Sequence, residues 1–198
     1  MKYWEVLIAL IIGIIIGILG VDLSNFSFSG FSMIDILLVC LLLLIGVDFA
    51  LSDVNFRSLS KNSVKFITIL VISTYLGAAL AGYIAVYFFN DYYALIATLG
   101  CGWYSYTSAT LVRYSVYWGS VALIANILRE IACIMLYPAL NKKLKISAIT
   151  IGGATTMDTS FPVISSFGGK DVALIAFAHG LIITLTLPII IETLLSFI

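Results

Sequence analysis

Charged residues are scarce in this chain: only 10% of its 198 residues are Asp, Glu, Lys or Arg, and there is a single histidine. Soluble domains carry about a quarter charged residues, so this composition excludes a soluble globular protein. The ten basic and ten acidic residues cancel, so nothing in the charge balance suggests a nucleic-acid partner or a polybasic attachment to lipid headgroups, and we expect no nucleic acid. The three cysteines, Cys40, Cys101 and Cys133, lie in apolar segments without metal-ligand spacing. We therefore expect no metal and no other cofactor.

Hydrophobic residues make up 62% of the chain, with a mean hydropathy of +1.16. A helix needs about 20 residues to cross a hydrocarbon core. Runs of that kind predict an all-α integral membrane protein of the cell membrane with five spans, the first of them retained rather than cleaved. The spans are residues 4–20, 33–51, 64–89, 118–140 and 172–197.

Basic residues cluster in two loops, one around Arg57, Lys61 and Lys65 and one after residue 140. The positive-inside rule places both loops in the cytoplasm. Together with the span count it predicts a cytoplasmic N-terminus and an outside C-terminus. A full crossing by residues 92–113 would put Lys142 to Lys145 on the wrong side. That segment must therefore turn back.

Two segments have the composition of such re-entrant hairpins. Residues 92–117 are predicted to enter from outside, and residues 146–169 from the cytoplasm. Glycine breaks a helix at mid-depth, and irregular backbone is tolerated there only where protein covers it or a cavity is lined. The breaking glycines are Gly100 and Gly102 in the first segment, and Gly152 and Gly153 in the second.

The two segments resemble each other when they are shifted by 52 residues, so that "TLGCGWYSYTS" overlies "TIGGATTMDTS". They share the first Thr, a Gly and the closing Thr-Ser. Opposite predicted orientations and a following span in each case favour an inverted-repeat transporter over chance similarity. The sequence thus predicts one transmembrane transporter domain, residues 1–198, with its site where the broken helices meet.

Three polar residues, Asn126, Arg129 and Glu130, interrupt the span that contains them. An ionised group at the centre of a membrane helix costs about 3 kcal/mol, so a chain that keeps several is expected to use them. Asn126 and Glu130 are four residues apart and share a face suited to a polar cavity, whereas Arg129 points elsewhere. We expect Asp158 or Asp48 to pair with Arg129. A buried ion pair that only fixes helix packing is the alternative.

Each remaining polar candidate has two interpretations. Asp158 follows the Gly-Gly break among threonines and serine, where it can bind a cation, cap a short helix, or do both. Asp48 lies near the cytoplasmic interface, where a solvated carboxylate is as good an interpretation as a functional one. His179 is either a hydrogen-bonded packing residue or a proton relay.

Aromatic residues follow the first glycine break, where they could hold a cation. Together with the polar groups, these aromatic residues are suited to bind a zwitterion that carries an additional positive charge. Carboxylates that release this cation when protonated outside would exchange it for protons. The predicted substrate- and proton-binding residues are Glu130, Asp158, Arg129, Asn126, Asp48, Trp103, Tyr104, Ser105, Thr156 and His179.

Four motifs in order, "GCGWYS", "NILREIACIMLYPAL", "GGATTMDTSFPVI" and "AHGLIITLTLPIII", resemble the C-terminal part of the lysine exporter family LysO. The resemblance implies export of L-lysine and its analogue thialysine, driven by a proton gradient, with essential intramembrane acids, one corresponding to Glu130. The bacterial exporters resembled have additional N-terminal spans. We therefore expect either a separately encoded small membrane subunit or a homodimer, with Asp48 standing in for an acid of those spans.

Two other classes of function remain open. A passive channel or an accessory subunit for a small cationic or zwitterionic metabolite would share the hairpins without proton coupling. An intramembrane hydrolase would need a nucleophile and a base, for which Ser105 and His179 are the conceivable pair. No Gly-x-Ser-x-Gly or His-Glu-x-x-His motif supports an enzyme.

Overall fold

The computed structural model describes residues 61–198 throughout and, before them, only residues 15, 18, 19, 27, 28, 31, 32, 40, 43 and 47. The chain divides into two compact units, Met1–Asp53 and Val54–Ile198. In the first, strand β1 (Ser27–Phe28) pairs antiparallel with β2 (Phe31–Ser32). The predicted spans 4–20 and 33–51 fall almost entirely outside the described residues, and Asp48 lies outside them. The single domain stays a prediction.

Every regular element in residues 61–198 is helical. Two segments of 3-10 helix lie among the α-helices, and we name them the first and second 3-10 segments. The elements are α1 (Lys61–Phe89), α2 (Tyr93–Leu99), α3 (Tyr104–Val112), α4 (Val116–Leu144), the first 3-10 segment (Lys145–Ile151), the second 3-10 segment (Gly153–Met157), α5 (Phe161–Gly168) and α6 (Lys170–Leu195).

Three stretches are long and apolar enough to cross a membrane: Ser63–Phe89, Val116–Ile151 and Lys170–Leu195. They confirm, by length and composition, the predicted spans 64–89, 118–140 and 172–197. Large apolar side chains on these helices are exposed, including Tyr87, Met135 and Ile189. Such an apolar outer surface fits a hydrocarbon surrounding and would be a liability in water.

One end of the bundle is held by an apolar cluster. Ile67 at the start of α1 packs in it with Tyr137 near the end of α4 and Ile175 near the start of α6. At the opposite end, the rings of Phe89 and Trp118 meet edge to face with centroids 5.6 Å apart. Helix α1 therefore runs antiparallel to α4 and parallel to α6.

The backbone leaves helical conformation at two points. Cys101 (φ +48°) and Gly102 (φ +91°) lie between α2 and α3, and Gly153 (φ +61°) begins the second 3-10 segment just after the break at Gly152. Positive φ is open to glycine at little cost and is uncommon for other residues. The glycine breaks predicted from sequence are therefore real interruptions of helix.

Both broken segments double back. The ring of Tyr93, at the start of α2, lies 6.1 Å from that of Tyr114, just beyond α3. In the second segment, Asn141 Nδ2 near the end of α4 donates to Phe167 O in α5 at 2.8 Å. The start and the end of each segment thus lie at the same end of the bundle.

We predict that Gly153→Ala destabilises the fold by about 2 to 5 kcal/mol, because a left-handed non-glycine residue is strained and its Cβ would overlap Cys101 O. Thermal unfolding of the purified protein in detergent measures the effect. Gly77→Ala is the matched control: nothing lies within 4 Å of its Cβ position. Alanine inside α1 should be neutral or stabilise by up to about 1 kcal/mol. Equal unfolding temperatures for the two variants would contradict the prediction.

Candidate functional site

The two helix breaks cross in direct backbone contact. Ala154 N donates to Cys101 O at 2.8 Å, and a Cβ at Gly102 would lie 2.9 Å from Gly152 O. A Cβ at Gly100 would lie 2.6 Å from Thr107 Oγ1. The glycines predicted from sequence are buried at this crossing, because only residues without a side chain allow the two main chains to approach so closely.

The crossing has matching conformations at matching sequence positions. Cys101 and Gly153, the two residues of positive φ at corresponding places, are 52 residues apart. Thr98 and Thr150, separated by the same interval, precede the two breaks and line one cavity. This interval is the shift that aligned the two segments in the sequence.

Asn126 on α4 holds the first break through all its amide atoms. Its Oδ1 accepts from Gly102 N at 2.8 Å, and its Nδ2 donates to Ala97 O and to Ala122 O, each at 2.9 Å. Only 2% of Asn126 is exposed. Two of these bonds join α4 to the first break, and the third, to Ala122 O, lies within α4 itself.

Arg129, one turn further along α4, holds the second break. Its Nε donates to Ile151 O at 2.9 Å, and its Nη2 donates to Thr150 O at 3.0 Å. Within residues 61–198, no ion pair joins Arg129 to Asp158, so the predicted pairing of these two residues is wrong. The guanidinium lies on the carbonyl end of the first 3-10 segment, where the partial charge is negative. The other expected partner, Asp48, lies outside the described residues.

Asp158 follows the second 3-10 segment and precedes α5. Its Oδ1 accepts from Thr159 N and, at 3.3 Å, from Thr159 Oγ1, and its backbone oxygen accepts from Phe161 N at 3.2 Å. The side chain is exposed. The carboxylate thus lies at the N-terminal end of a short helix, where the partial charge is positive.

Glu130 and Asp158 form a cluster of acids with Tyr104, the first residue of α3. Both carboxylates interact electrostatically with the Tyr104 hydroxyl, and the two carboxylates interact with each other. Glu130 is partly exposed. Among residues 61–198, neither carboxylate forms an ion pair. Asn126 and Arg129 line a common cavity, but Glu130 does not. Asn126 and Glu130 therefore do not face the same cavity, contrary to the prediction from their spacing.

Trp103 and Tyr106 stack on each other with ring centroids 5.0 Å apart, and each is only 8% exposed. Tyr106 Oη donates to Glu192 Oε1 on α6 at 3.2 Å. Of the aromatic residues Trp103, Tyr104 and Tyr106, which follow the first glycine break, only Tyr104 is partly exposed. The carboxylate of Glu192 had no sequence signal as a partner, because its contact joins helices 86 residues apart.

His179 and Thr156 lie together in the buried core beside the second break. The ring Nδ1 of His179 lies 3.1 Å from Thr156 Oγ1, and its Nε2 lies 2.9 Å from Thr74 Oγ1. Both ring nitrogens are therefore engaged by threonines. Ser105, partly exposed in the first turn of α3, is not a hydrogen-bond partner of the ring. The pair required by an intramembrane hydrolase is thus not formed.

A cavity of about 440 Å³ opens beside the crossing. Small and hydroxyl-bearing residues of α1 and α2 line it, together with the Asn126 and Arg129 side chains of α4. Thr74 and Thr98, which sequence reasoning missed, belong to this lining; the match of Thr98 with Thr150 was the available signal. The lining residues are Ser73, Thr74, Gly77, Ala78, Ala81, Ala97, Thr98, Ala125, Asn126, Arg129, Thr150 and Ile151.

We predict that Asn126→Ala destabilises the protein by about 2 to 4 kcal/mol, because Gly102 N and Ala97 O lose their buried partner. The matched control is Asn141→Ala, which removes one exposed bond to Phe167 O and should cost less than about 1 kcal/mol. Thermal unfolding in detergent compares the two variants. An Asn126 variant as stable as the Asn141 variant would show that the amide does not hold the break.

Comparisons with known proteins place the chain in a family. The family model described as lysine exporter LysO matches residues 7–195. The lysine exporter LysO of Escherichia coli is 31% identical over 157 residues, which cover 78% of this chain and 52% of that protein. A Haemophilus influenzae protein named "Putative lysine exporter" is 29% identical over 196 residues, or 98% of each chain.

The chain thus spans about half the length of its E. coli relative and nearly all of the H. influenzae one. No solved structure matches it. The family match extends over both broken segments and the three described spans, and so includes the whole crossing. The chain belongs to the lysine exporter LysO family.

Proposed function

We propose that this protein exports L-lysine, and analogues such as thialysine, from the cytoplasm in exchange for protons. The observation that carries the proposal is the cluster of Glu130, Asp158 and Tyr104 beside the helix crossing. Two carboxylates without an ion pair among residues 61–198 are costly in a membrane and suit a cation that comes and goes. Both relatives named above carry lysine export in their names.

The crossing offers complementary charge for a zwitterion with a second ammonium group. The carboxylates can bind ammonium groups, and the N-terminal ends of α3 and α5 on the same side favour a carboxylate. The guanidinium of Arg129 donates to two carbonyls at the C-terminal end of the first 3-10 segment. Its positive charge therefore balances the negative partial charge of those carbonyls, and Glu130 and Asp158 stay free to bind the substrate.

Export of a cation works against the membrane potential, at about 2.3 kcal/mol per charge per 100 mV. Protonation of Glu130 or Asp158 from outside would release lysine, and deprotonation towards the cytoplasm would restore the site. The carboxylates thus provide the coupling between lysine and protons. A passive pathway would lack this dependence on a gradient.

The proposed topology has two re-entrant hairpins of opposite orientation in the plasma membrane. Support comes from the doubling back of each segment and from the basic residues at one end of the bundle, including Lys142, Lys143 and Lys170. Asp91 and Trp118, which are hydrogen-bonded, lie at the other end. By the positive-inside rule the first end is cytoplasmic and the C-terminus is outside. A homodimer or a small membrane subunit would complete the transporter.

We predict that Glu130→Gln and Asp158→Asn each lower gradient-driven uptake of labelled lysine about tenfold or more, since each loses a charged contact to the substrate. The measurement uses inside-out vesicles from cells that lack other lysine exporters, with an imposed pH gradient, acid inside. Asp171→Asn is the matched control, because this exposed acid lies at the start of α6, away from the crossing. Uptake by both site variants equal to that of wild type would refute the proposal, and uptake independent of the gradient would indicate a passive channel.

A further inference from the structure

We propose that His179 is a positioning residue that ties α1 to the second helix break and so fixes the 3-10 segment that directly precedes Asp158. The inference rests on the proposed function, because its readout is lysine transport. It adds a structural role for a residue that the sequence left open between a packing histidine and a proton relay.

The bonds at the two ring nitrogens reach two different elements. Nε2 meets Thr74 on α1 at 2.9 Å, and Nδ1 meets Thr156 in the second 3-10 segment at 3.1 Å. His179 itself belongs to α6 and is completely buried. One imidazole therefore joins three elements. Helix α6 has a further hydrogen bond to α1, where Tyr75 Oη lies 2.7 Å from Thr186 Oγ1, but the imidazole is what links α1 to the second 3-10 segment.

Neither bond requires a change of protonation. A neutral imidazole donates from one nitrogen and accepts at the other, and a threonine hydroxyl can play either role. The charged group facing the ring is the guanidinium of Arg129 on α4. The groups facing it from α1 and the second 3-10 segment, Thr74 and Thr156, do not titrate near neutral pH. Within residues 61–198 no carboxylate is bonded to the ring.

The neighbouring contacts leave the second 3-10 segment little room to move against α6. At Gly180, the residue after His179, a Cβ would lie 2.6 Å from Met157 N and 2.8 Å from Ala154 O. Thr156 Oγ1 also lies 2.9 Å from Ala176 O. Loss of the imidazole would free the segment on its α1 side, two residues before Asp158.

The test replaces each partner by an isosteric residue that cannot form the bond. We expect Thr74→Val and Thr156→Val to raise the KM for lysine about three- to tenfold. We expect His179→Ala to raise it at least as much. Thr156→Ser keeps the hydroxyl and should restore the wild-type KM. The pH profile of uptake should keep its shape in every variant.

Thr184→Val is the matched control, because Thr184 is a buried threonine of the same helix whose hydroxyl has no partner in the described part of the chain. Its KM should stay within about twofold of wild type. Unchanged KM values for Thr74→Val and Thr156→Val would overturn the positioning role. A pH profile altered only by replacement of His179 would also overturn it, in favour of a relay.

The two threonine variants keep the proposal testable where His179→Ala fails to fold. Wild type and Thr184→Val report on the proposed function separately. If neither takes up lysine, lysine export itself is wrong. If both do and the hydroxyl-deficient variants match them, only the role of His179 fails.

Discussion

The backbone contact between the two helix breaks is the constraint on which the rest of the structure depends. Ala154 N reaches Cys101 O only because both chains leave helical conformation where they meet. A break inside a membrane leaves amide and carbonyl groups without helical partners, and no water is available to satisfy them. Side chains of the neighbouring helices must do so, and this requirement explains Asn126 and Arg129 in an otherwise apolar span.

Helix α4 satisfies much of that requirement from a single stretch. Asn126 binds the first break and Arg129 binds the carbonyl end at the second. Glu130, adjacent to Arg129, points about 100° away from it around the helix and belongs to the acid cluster. The same two turns of helix thus hold the crossing together on one side and offer a carboxylate on the other. The crowding of three polar residues in one span follows from this double task.

Sequence reasoning found the elements whose signals are local. Long apolar runs predict α1, α4 and α6, and the glycine pairs predict the two breaks together with the interval that relates them. The partners of Arg129 and His179 depended on contacts between distant elements. An arginine in a membrane span suggests a carboxylate partner, yet the unpaired carbonyls of Thr150 and Ile151 compete for the same donors. The separation of Asn126 from Glu130 arose in the same way, because the first break takes up the amide.

The charged groups around the crossing are stabilised by backbone groups rather than by one another. Arg129 lies at carbonyl ends of broken helix, where its positive charge is matched by backbone dipoles. Asp158 lies at an N-terminal end, where its negative charge is matched in the same manner. Each charge is thereby stabilised without pairing the arginine to the aspartate. An ion pair between them would be self-contained and would leave nothing for a ligand, whereas in the observed arrangement neither acid forms an ion pair within residues 61–198. In the proposed mechanism, the placement of Arg129 on backbone carbonyls is therefore what leaves Glu130 and Asp158 available to a cation.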